Sequence, residues 1–202
     1  MDPISVSVSR GGVVEAVHRV HAVAVRDGEV VASAGDPELV CFLRSSAKPI
    51  QALPLVESYD DLTDTEVAIA SASHRAEPAQ IEAVRTLLAR ADASEDDLEN
   101  GEQDCRPPGR LYHNCSGKHA GMLAACRANG WPLAGYRLPD HPLQKRIAQE
   151  LDGIVLATAV DGCGVPTFAT RPACSCARTR GSAPRWRRGR SSSAARARPT
   201  PR

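Results

Sequence analysis

Apolar and polar positions alternate with a period of two in two neighbouring stretches near the beginning of the chain. These stretches cover residues 20–25 and 29–33, and Asp27-Gly28 lies between them. A period of two indicates strands, and an Asp-Gly pair between two such runs is a strong signal for a tight hairpin turn. The sequence therefore predicts that the domain starts with an antiparallel hairpin, which a short apolar run at residues 39–43 follows.

Three later stretches have the spacing of amphipathic helices. The first has Pro78 in its first turn and an apolar face made of Ile81, Val84, Leu87, Leu88 and Ala91. The second covers residues 118–128 and is closed by Asn129-Gly130, a C-terminal capping signal. The third covers residues 142–151, and its apolar face consists of Leu143, Ile147 and Leu151. We expect these faces to form the helical part of the core.

Shorter segments complete a mixed pattern of helices and strands. Residues 65–71 form either a short buried helix or a strand, and residues 94–99 have the signature of a short, capped, acidic helix. Residues 154–160 have strand-like composition, and residues 161–166 form a tight loop at the end of that strand. No internal repeat is present.

Pro49 marks the start of a further helix. Proline is tolerated in a helix only within the first turn, where its missing N–H has no intrahelical partner. The helix therefore begins near Ser45 or Ser46, and Ser45 and Lys48 lie one turn apart at its positive end. An ammonium group is disfavoured there, which suits Lys48 to take a proton from Ser45. A Ser-x-x-Lys pattern also arises often by chance, so an incidental match stays open at this point.

Lysine is scarce in this chain, because the 25 basic residues include only Lys48, Lys118 and Lys145. The first two lie in turns that also carry serine or cysteine. Arginine cannot act as a base, since its guanidinium does not lose its proton in proteins. Lysine at those two points is therefore typical of chemistry that needs a deprotonated amine.

Length and composition indicate one domain with a hydrophobic core, since the chain has 202 residues, of which 42% are hydrophobic. No run of about 18 apolar residues occurs, so no membrane span is expected. The N-terminus lacks the basic and apolar regions of a signal peptide, and we expect a cytoplasmic protein. In that compartment the seven cysteines are expected to be buried thiols, metal ligands or nucleophiles rather than disulfides.

The charge is distributed unevenly although the net charge is only +1. Residues 171–202 carry ten arginines and no acidic residue, which leaves 15 basic against 24 acidic residues in 1–170. We expect one domain over residues 1–170, followed by a disordered Arg-rich tail over 171–202. The tail has no apolar periodicity. Its amino-acid composition is the one expected when GC-rich DNA is translated out of frame, which indicates a truncated or frame-shifted end. Arg-rich ends also bind nucleic acid, but we weigh that interpretation as the weaker one.

The densest group of reactive side chains lies in residues 112–122, at the start of the second predicted helix. A helix N-terminus favours a thiolate or another anion, and one turn between Cys115 and Lys118 lets both face the same way. For a metal, the residue types suggest His113, Cys115 and His119, with Cys163 as a distant fourth ligand. The alternative is that these cysteines only fill the core, as most buried cysteines do.

Five segments in combination resemble the serine-lysine, zinc-binding class of L-asparaginases, the L-asparaginase II family. The segments are Arg44-Ser45-Ser46-Ala47-Lys48-Pro49, Ser73-His74 with Glu77-Pro78, His113-Asn114-Cys115-Ser116-Gly117-Lys118-His119-Ala120-Gly121-Met122, His141-Pro142-Leu143-Gln144 and Asp161-Gly162-Cys163-Gly164-Val165-Pro166. The resemblance covers about residues 5–169. It implies an α/β (α+β) fold similar to serine β-lactamases and glutaminases, with an antiparallel sheet flanked by helices, and a homodimer. The implied reaction is hydrolysis of L-asparagine to L-aspartate and ammonia.

The same resemblance implies roles for individual residues. Ser45 and Lys48 match one Ser-Lys tandem, with Ser45 preferred as the nucleophile, and Ser73 matches the serine of a second tandem. The residues that match zinc ligands are Cys115, Lys118 and Cys163. This set replaces the histidines suggested by residue type, and it requires Lys118 to bind as a neutral amine. Arg44 and Asp161 match positions that line the substrate site, where an arginine can clamp an α-carboxylate.

Two departures from the family pattern are visible. Arg75-Ala76 stands where the family tends to carry a small residue and a glycine, which is expected to crowd the loop after Ser73. The resemblance also ends near Phe168-Ala169, whereas family members continue with a C-terminal part that supplies the lysine partner of the second serine. We expect that part of the fold to be missing. The alternatives to an active asparaginase are an inactive zinc-binding relative and a glutaminase or β-lactamase-like Ser-Lys hydrolase.

Overall fold

The computed structural model describes residues 1–102 and 108–173. The strands in chain order are β1 (Ile4–Arg10), β2 (Val13–Val20), β3 (Ala22–Arg26), β4 (Glu29–Ala34), β5 (Cys41–Phe42), β6 (Ala157–Val160) and β7 (Pro166–Thr170). The α-helices are α1 (Lys48–Gln51), α2 (Leu53–Ser58), α3 (Asp64–Ser71), α4 (Pro78–Arg90), α5 (Ser116–Ala128) and α6 (Pro142–Gln149). Short 3₁₀ turns cover Arg44–Ala47, Glu95–Asp97 and Arg110–Tyr112.

All strand pairs of the described residues are antiparallel, and they form three small sheets. The pairs β1–β2 and β3–β4 are separate hairpins, and β7 lies between β5 and β6 in the third sheet. This arrangement confirms the mixed fold class. The strands are divided among three sheets rather than joined in one.

The hairpin predicted around Asp27-Gly28 is β3–β4. Both turn residues have positive φ, 52° at Asp27 and 88° at Gly28, as a tight hairpin turn requires. The prediction that the domain starts with this hairpin was wrong, because β1 and β2 precede it. The signal for β1 was present in the alternation of serine and valine over residues 5–9, followed by Gly11-Gly12, both at positive φ.

Helix α5 is the centre of the core, since eleven of its residues are buried. A Cβ on Gly117 would collide with the backbone carbonyl of Ile69, and one on Gly121 would come within 3.0 Å of Ala70 Cβ. Glycine at these two positions therefore lets α5 lie directly against α3. The close packing brings the N-terminus of α5 next to the end of α3, where the reactive residues of both segments lie.

The three amphipathic helices are confirmed, and their predicted apolar residues are all buried. The second begins at Ser116, two residues earlier than predicted, and the third ends at Gln149 rather than at 151. The ambiguous segment at residues 65–71 is helical and belongs to α3. A capping box at Thr63, formed with Glu66, explains why this segment is a helix rather than a strand.

The remaining predictions hold with changed boundaries. The chain enters α1 through the 3₁₀ turn Arg44–Ala47, so the α-helix starts at Lys48 rather than at Ser45 or Ser46. The acidic helix is reduced to the 3₁₀ turn Glu95–Asp97, capped by Ser94. The strand predicted from residue 154 starts at Ala157. Strand β7 was not predicted, although all five of its residues are buried.

Two segments of the chain lie outside the described residues. Most of the Arg-rich tail, residues 174–202, belongs there, as do residues 103–107. The expectations that the tail is disordered and abnormal therefore stay expectations. Within residues 1–102 and 108–173, no helix is long and apolar enough to cross a membrane.

Candidate active site

Lys48 and Ser73 form the closest contact between predicted catalytic residues. Lys48 lies at the start of α1 with only 1% of its surface exposed, and Ser73 follows the end of α3. The Lys48 Nζ donates a hydrogen bond to Ser73 Oγ at 2.5 Å. Ser73 and His74 also line a cavity of about 230 Å³ between α3 and α4. Ser73 therefore contacts the Lys48 amine through its hydroxyl and also borders this cavity.

Ser45 has a different environment from the one that its spacing predicts. It lies on the exposed side of the 3₁₀ turn, and its hydroxyl makes no hydrogen bond with the part of the chain that the structure describes. Its neighbour Ser46 is held by a 2.6 Å hydrogen bond to the carbonyl of Leu43. The amine of Lys48 therefore pairs with Ser73 in this structure.

Arg44 and Asp161 form an ion pair beside this turn, with Arg44 Nε 2.7 Å from Asp161 Oδ1. Arg44 has a φ of 49°, an uncommon conformation for a non-glycine residue, and its N–H donates to Thr167 Oγ1 at 3.1 Å. Asp161 is held by the tight loop before β7, because Gly162 N–H donates to its Oδ1 at 2.9 Å. The two predicted substrate-lining residues are therefore brought together, and the Arg44 side chain remains 66% exposed.

His74 ties the Ser73 segment to the N-terminus of α5. Its backbone N–H donates to the carbonyl of Asn114 at 3.2 Å, and its Nε2 lies 2.9 Å from Ser116 Oγ. Its Nδ1 accepts from the N–H of Ala76 at 3.1 Å, so the proton is on Nε2 and is donated to Ser116. Burial, with Lys48 adding to it, lowers the pKa of His74. Sequence reasoning quoted His74 only as part of a motif and missed this positioning role.

The loop after Ser73 contains the departure from the family pattern. Ala76 has a φ of 60°, the left-handed region that glycine adopts without steric cost. The loop continues into α4 through a capping box, in which Gln80 Oε1 accepts from the N–H groups of Arg75 and Glu77, both at 3.0 Å. Ala76 is thus strained at a position where a glycine would relax the backbone.

The predicted metal ligands Cys115, Lys118 and Cys163 lie together in the core. Lys118 Nζ is 3.0 Å from Cys163 Sγ, and each of the three residues is at least 93% buried. The Cys115 thiol donates a hydrogen bond to Cys163, which is the main reason why the pKa of Cys163 is lowered, with His119 and Lys118 adding to it. The same bond and burial raise the pKa of Cys115.

The two histidines suggested from residue type each have a hydrogen-bond partner at Nδ1. His113 Nδ1 accepts the N–H of Cys115 at 3.0 Å, and His119 Nδ1 is occupied by the hydroxyl of Tyr136 at 2.7 Å. In the described part of the chain, no three His, Cys, Asp or Glu side chains are arranged to hold a metal. Local backbone and side-chain partners therefore orient both rings.

The donor set nevertheless fits zinc if Lys118 is counted. Zinc prefers thiolate and nitrogen donors, and two sulfur atoms with one amine leave a fourth position open. The low pKa of Cys163 supplies a thiolate, and the contact of Lys118 Nζ with that sulfur brings a nitrogen donor to the same point. The residue types of this cluster are therefore compatible with a zinc ion.

His113 is buried and interacts electrostatically with residues of the thiol cluster and with Lys48. Burial lowers its pKa, Cys163 acts to raise it, and Lys118 and Lys48 lower it further. A single buried ring therefore interacts electrostatically with both groups.

Comparison with known proteins identifies one family. A family model described as L-asparaginase II matches residues 6–181. The match includes all the residues placed in the site above, and it extends past Ala169, where the motifs in the sequence end. A search of curated proteins found no match.

Proposed function

The chain belongs to the L-asparaginase II family, and from this premise we propose that it hydrolyses the side-chain amide of L-asparagine to L-aspartate and ammonia. Membership of the family supports an asparaginase-type amidohydrolase. The observation that carries the finer proposal is the 2.5 Å contact between Lys48 Nζ and Ser73 Oγ. A buried amine beside a serine at the edge of a cavity is the arrangement that an activated nucleophile needs.

In the first half of the reaction, the neutral amine of Lys48 accepts the proton of a serine hydroxyl. The serine oxygen attacks the carboxamide carbon, and backbone N–H groups stabilise the negative charge on the amide oxygen. The C–N bond then breaks, and Lys48 returns the proton to the leaving nitrogen, so that ammonia departs. The product of this half is an aspartyl ester on the serine.

In the second half, water takes the place of ammonia. Lys48 accepts a proton from the water, the hydroxide attacks the ester carbon, and the serine oxygen leaves with the proton from Lys48. The free enzyme and L-aspartate result. One amine serves as base and acid in turn in both halves, so its loss should stop both.

The contact geometry favours Ser73 as the nucleophile, because Lys48 binds its hydroxyl and Ser45 has no such partner. Ser45, preferred from the family pattern, stays as the alternative. The test is ammonia release by Ser73→Ala and Ser45→Ala, with acid-quenched parent protein digested to find the serine that carries an aspartyl ester. Ester on Ser73, together with loss of activity only in Ser73→Ala, supports the assignment. Ester on Ser45 overturns it.

Arg44 and Asp161 supply a charge pair of the right kind for an amino acid. A guanidinium binds the α-carboxylate, and a carboxylate binds the α-ammonium. Because the two side chains are 2.7 Å apart, a bound zwitterion would exchange one ion pair for two. This pair therefore selects free amino acids over peptides with blocked termini.

We also propose that Cys115, Lys118 and Cys163 hold zinc. When bound, zinc there would organise the pocket by joining the start of α5 to the loop before β7. Equimolar zinc without ammonia release would indicate the inactive zinc-binding alternative. Glutamine and nitrocefin assays on the same sample distinguish the glutaminase and β-lactamase alternatives.

A homodimer is the proposed assembly. Its support is the apolar face of the β1–β2 hairpin, where Ile4, Val6 and Val8 are each at least 43% exposed. These residues alternate with serines and so share one face of the strand. Light scattering of the parent and of Val6→Asp tests this, since a charge on that face should give monomers.

A further inference from the structure

The buried pair His119 and Tyr136 adjoins the thiol cluster without belonging to it. Both residues are 0% exposed, and their rings meet edge to face with centroids 5.5 Å apart. The Tyr136 hydroxyl lies 2.7 Å from His119 Nδ1 and accepts the backbone N–H of Glu99 at 2.8 Å. The Tyr136 hydroxyl therefore links the imidazole of His119 to the backbone of Glu99.

This geometry decides where the protons lie. The Tyr136 hydroxyl has one proton, and among the described residues His119 Nδ1 is the acceptor in reach of it. If Nδ1 instead donated to the hydroxyl, the phenolic proton would be buried without a partner, which is costly. Tyr136 therefore donates to Nδ1, and the imidazole carries its proton on Nε2.

The Nε2–H that results is a buried donor with no hydrogen-bond partner among the described residues. His119 lies one turn after Cys115, since its backbone N–H donates to the carbonyl of Cys115 at 3.1 Å. The ring is therefore on the side of α5 that carries a thiol of the cluster. His119 follows Lys118 directly on α5, so its backbone also supports a predicted ligand. A buried donor without a partner thus lies on the side of α5 that carries the thiol cluster.

We propose that His119 is a positioning residue for the metal centre, and that its Nε2–H, fixed by Tyr136, donates to the Cys163 sulfur when a metal is bound. The proposal rests on the zinc role given under the proposed function. His119 is not a ligand, because the nitrogen that faces the cluster carries a proton. Outer partners of this kind orient a ligand, and their loss costs about 10-fold to 100-fold in metal affinity.

The experiment uses the full chain and four variants. His119→Phe removes the donor, whereas His119→Gln keeps an N–H near the position of Nε2. Tyr136→Phe removes the hydroxyl that fixes the ring. His141→Gln is the matched control, because His141 is also a buried histidine but contacts Pro132 O and Leu143 N instead. Zinc affinity is measured by competition with a chromogenic chelator, and long-range ¹H–¹⁵N spectra report the tautomer of His119.

The expected results are an Nε2–H tautomer in the parent and about 10-fold to 100-fold weaker zinc binding in His119→Phe. His119→Gln should recover most of the affinity, Tyr136→Phe should lose part of it, and His141→Gln should match the parent. An Nδ1–H tautomer, or a folded His119→Phe that binds zinc as tightly as the parent, overturns the proposal. A parent chain that takes up no zinc overturns it together with the proposed zinc role.

Affinity is measured without substrate, so the result is independent of catalysis. A parent that binds zinc in a His119-dependent way but releases no ammonia would refute the proposed hydrolysis alone. An active parent whose zinc affinity does not depend on His119 would refute this inference alone. Circular dichroism and unfolding curves of each variant separate a local effect on the metal from a loss of fold.

Discussion

Lys48 Nζ lies 2.5 Å from Ser73 Oγ, although 25 residues separate the two along the chain. The contact joins the first turn of α1 to the segment that follows α3. It provides a serine-amine pair that does not depend on the local Ser-x-x-Lys spacing. The amine is buried, so the proposed proton transfer would depend on this one side chain.

Replacement of Lys48 by methionine should reduce the rate of ammonia release from L-asparagine by about 100-fold or more, the usual contribution of a positioned acid-base group. Lys48→Arg should be as inactive, because a guanidinium cannot accept the proton. Lys145→Met is the matched control, since Lys145 is exposed on α6. Steady-state kinetics measure all three, and substantial activity in Lys48→Met would refute the assigned role.

Loss of one charge in the Arg44–Asp161 pair should weaken substrate binding more than chemistry. We expect Asp161→Asn to raise KM for L-asparagine about 10-fold or more, as loss of a charged hydrogen bond does, with a much smaller change in kcat. The Arg171–Glu38 pair, at 3.1 Å, provides the control, and Glu38→Gln should leave KM unchanged. A fall in kcat with constant KM would contradict a binding role.

Removal of one thiol should abolish zinc binding. Cys163→Ala leaves only Cys115 and Lys118, and two donors hold zinc poorly. Cys126→Ala is the control. Cys126, on α5, is a buried thiol like Cys163, but it is not one of the three proposed ligands. Zinc per chain, measured by mass spectrometry after desalting, should fall to background only in Cys163→Ala. Equal zinc in both variants would exclude the proposed ligand set.

Ala76→Gly should stabilise the protein. A non-glycine residue in the left-handed region costs about 1–2 kcal/mol, and glycine removes most of that cost at φ 60°. We expect the free energy of unfolding in urea to rise by about 1 kcal/mol. Ala89→Gly, at an exposed position in α4, should lower it by a similar amount. Destabilisation by both substitutions would show that Ala76 is not strained.

Glu66 should make stability depend on pH in the acid range. Burial acts to raise its pKa, but hydrogen bonds from Arg90 and Thr63 outweigh burial and leave the pKa below the ordinary 4.5. A lowered pKa in the folded state means that the stabilisation is complete above the unfolded pKa. It is lost as the pH falls through the folded value.

We therefore expect Glu66→Gln to lower the free energy of unfolding by about 2 kcal/mol at pH 7, the scale of a charged hydrogen bond. The difference from the parent should shrink as the pH falls below about 4. Glu82→Gln is the control, since Glu82 is exposed and its ion pair with Arg85, at 3.7 Å, should contribute little to stability. A difference that does not change between pH 7 and pH 3 would contradict this account.

Local patterns were sufficient for most elements of this fold. The helix α4 could be placed from Ile81, Val84 and Leu87, because a period of 3.6 along the chain puts them on one face. Strand β7 could not be placed in the same way. All five of its residues are buried between β5 and β6, and a fully buried strand has no alternation to detect.

The candidate site was predictable as a set of residues but not as a set of contacts. Family resemblance brought Ser45, Lys48 and Ser73 together as catalytic candidates, and spacing along one helix suggested that Lys48 serves Ser45. Lys48 contacts Ser73 because α1 packs directly against α3, which brings the segment after α3 to the amine. Local sequence patterns, which span only a few residues, do not show which serine Lys48 contacts.

The sequence by itself determined the helical faces, the hairpin turn at Asp27-Gly28, the mixed fold class and the residue types of the site. Each of these depends on neighbours within a few positions, where backbone geometry makes the pattern regular. Tertiary structure alone decided which nitrogen of His119 contacts Tyr136 and which serine Lys48 contacts. Those choices depend on partners such as Tyr136, 17 residues away from His119, and packing of the whole core selects such partners.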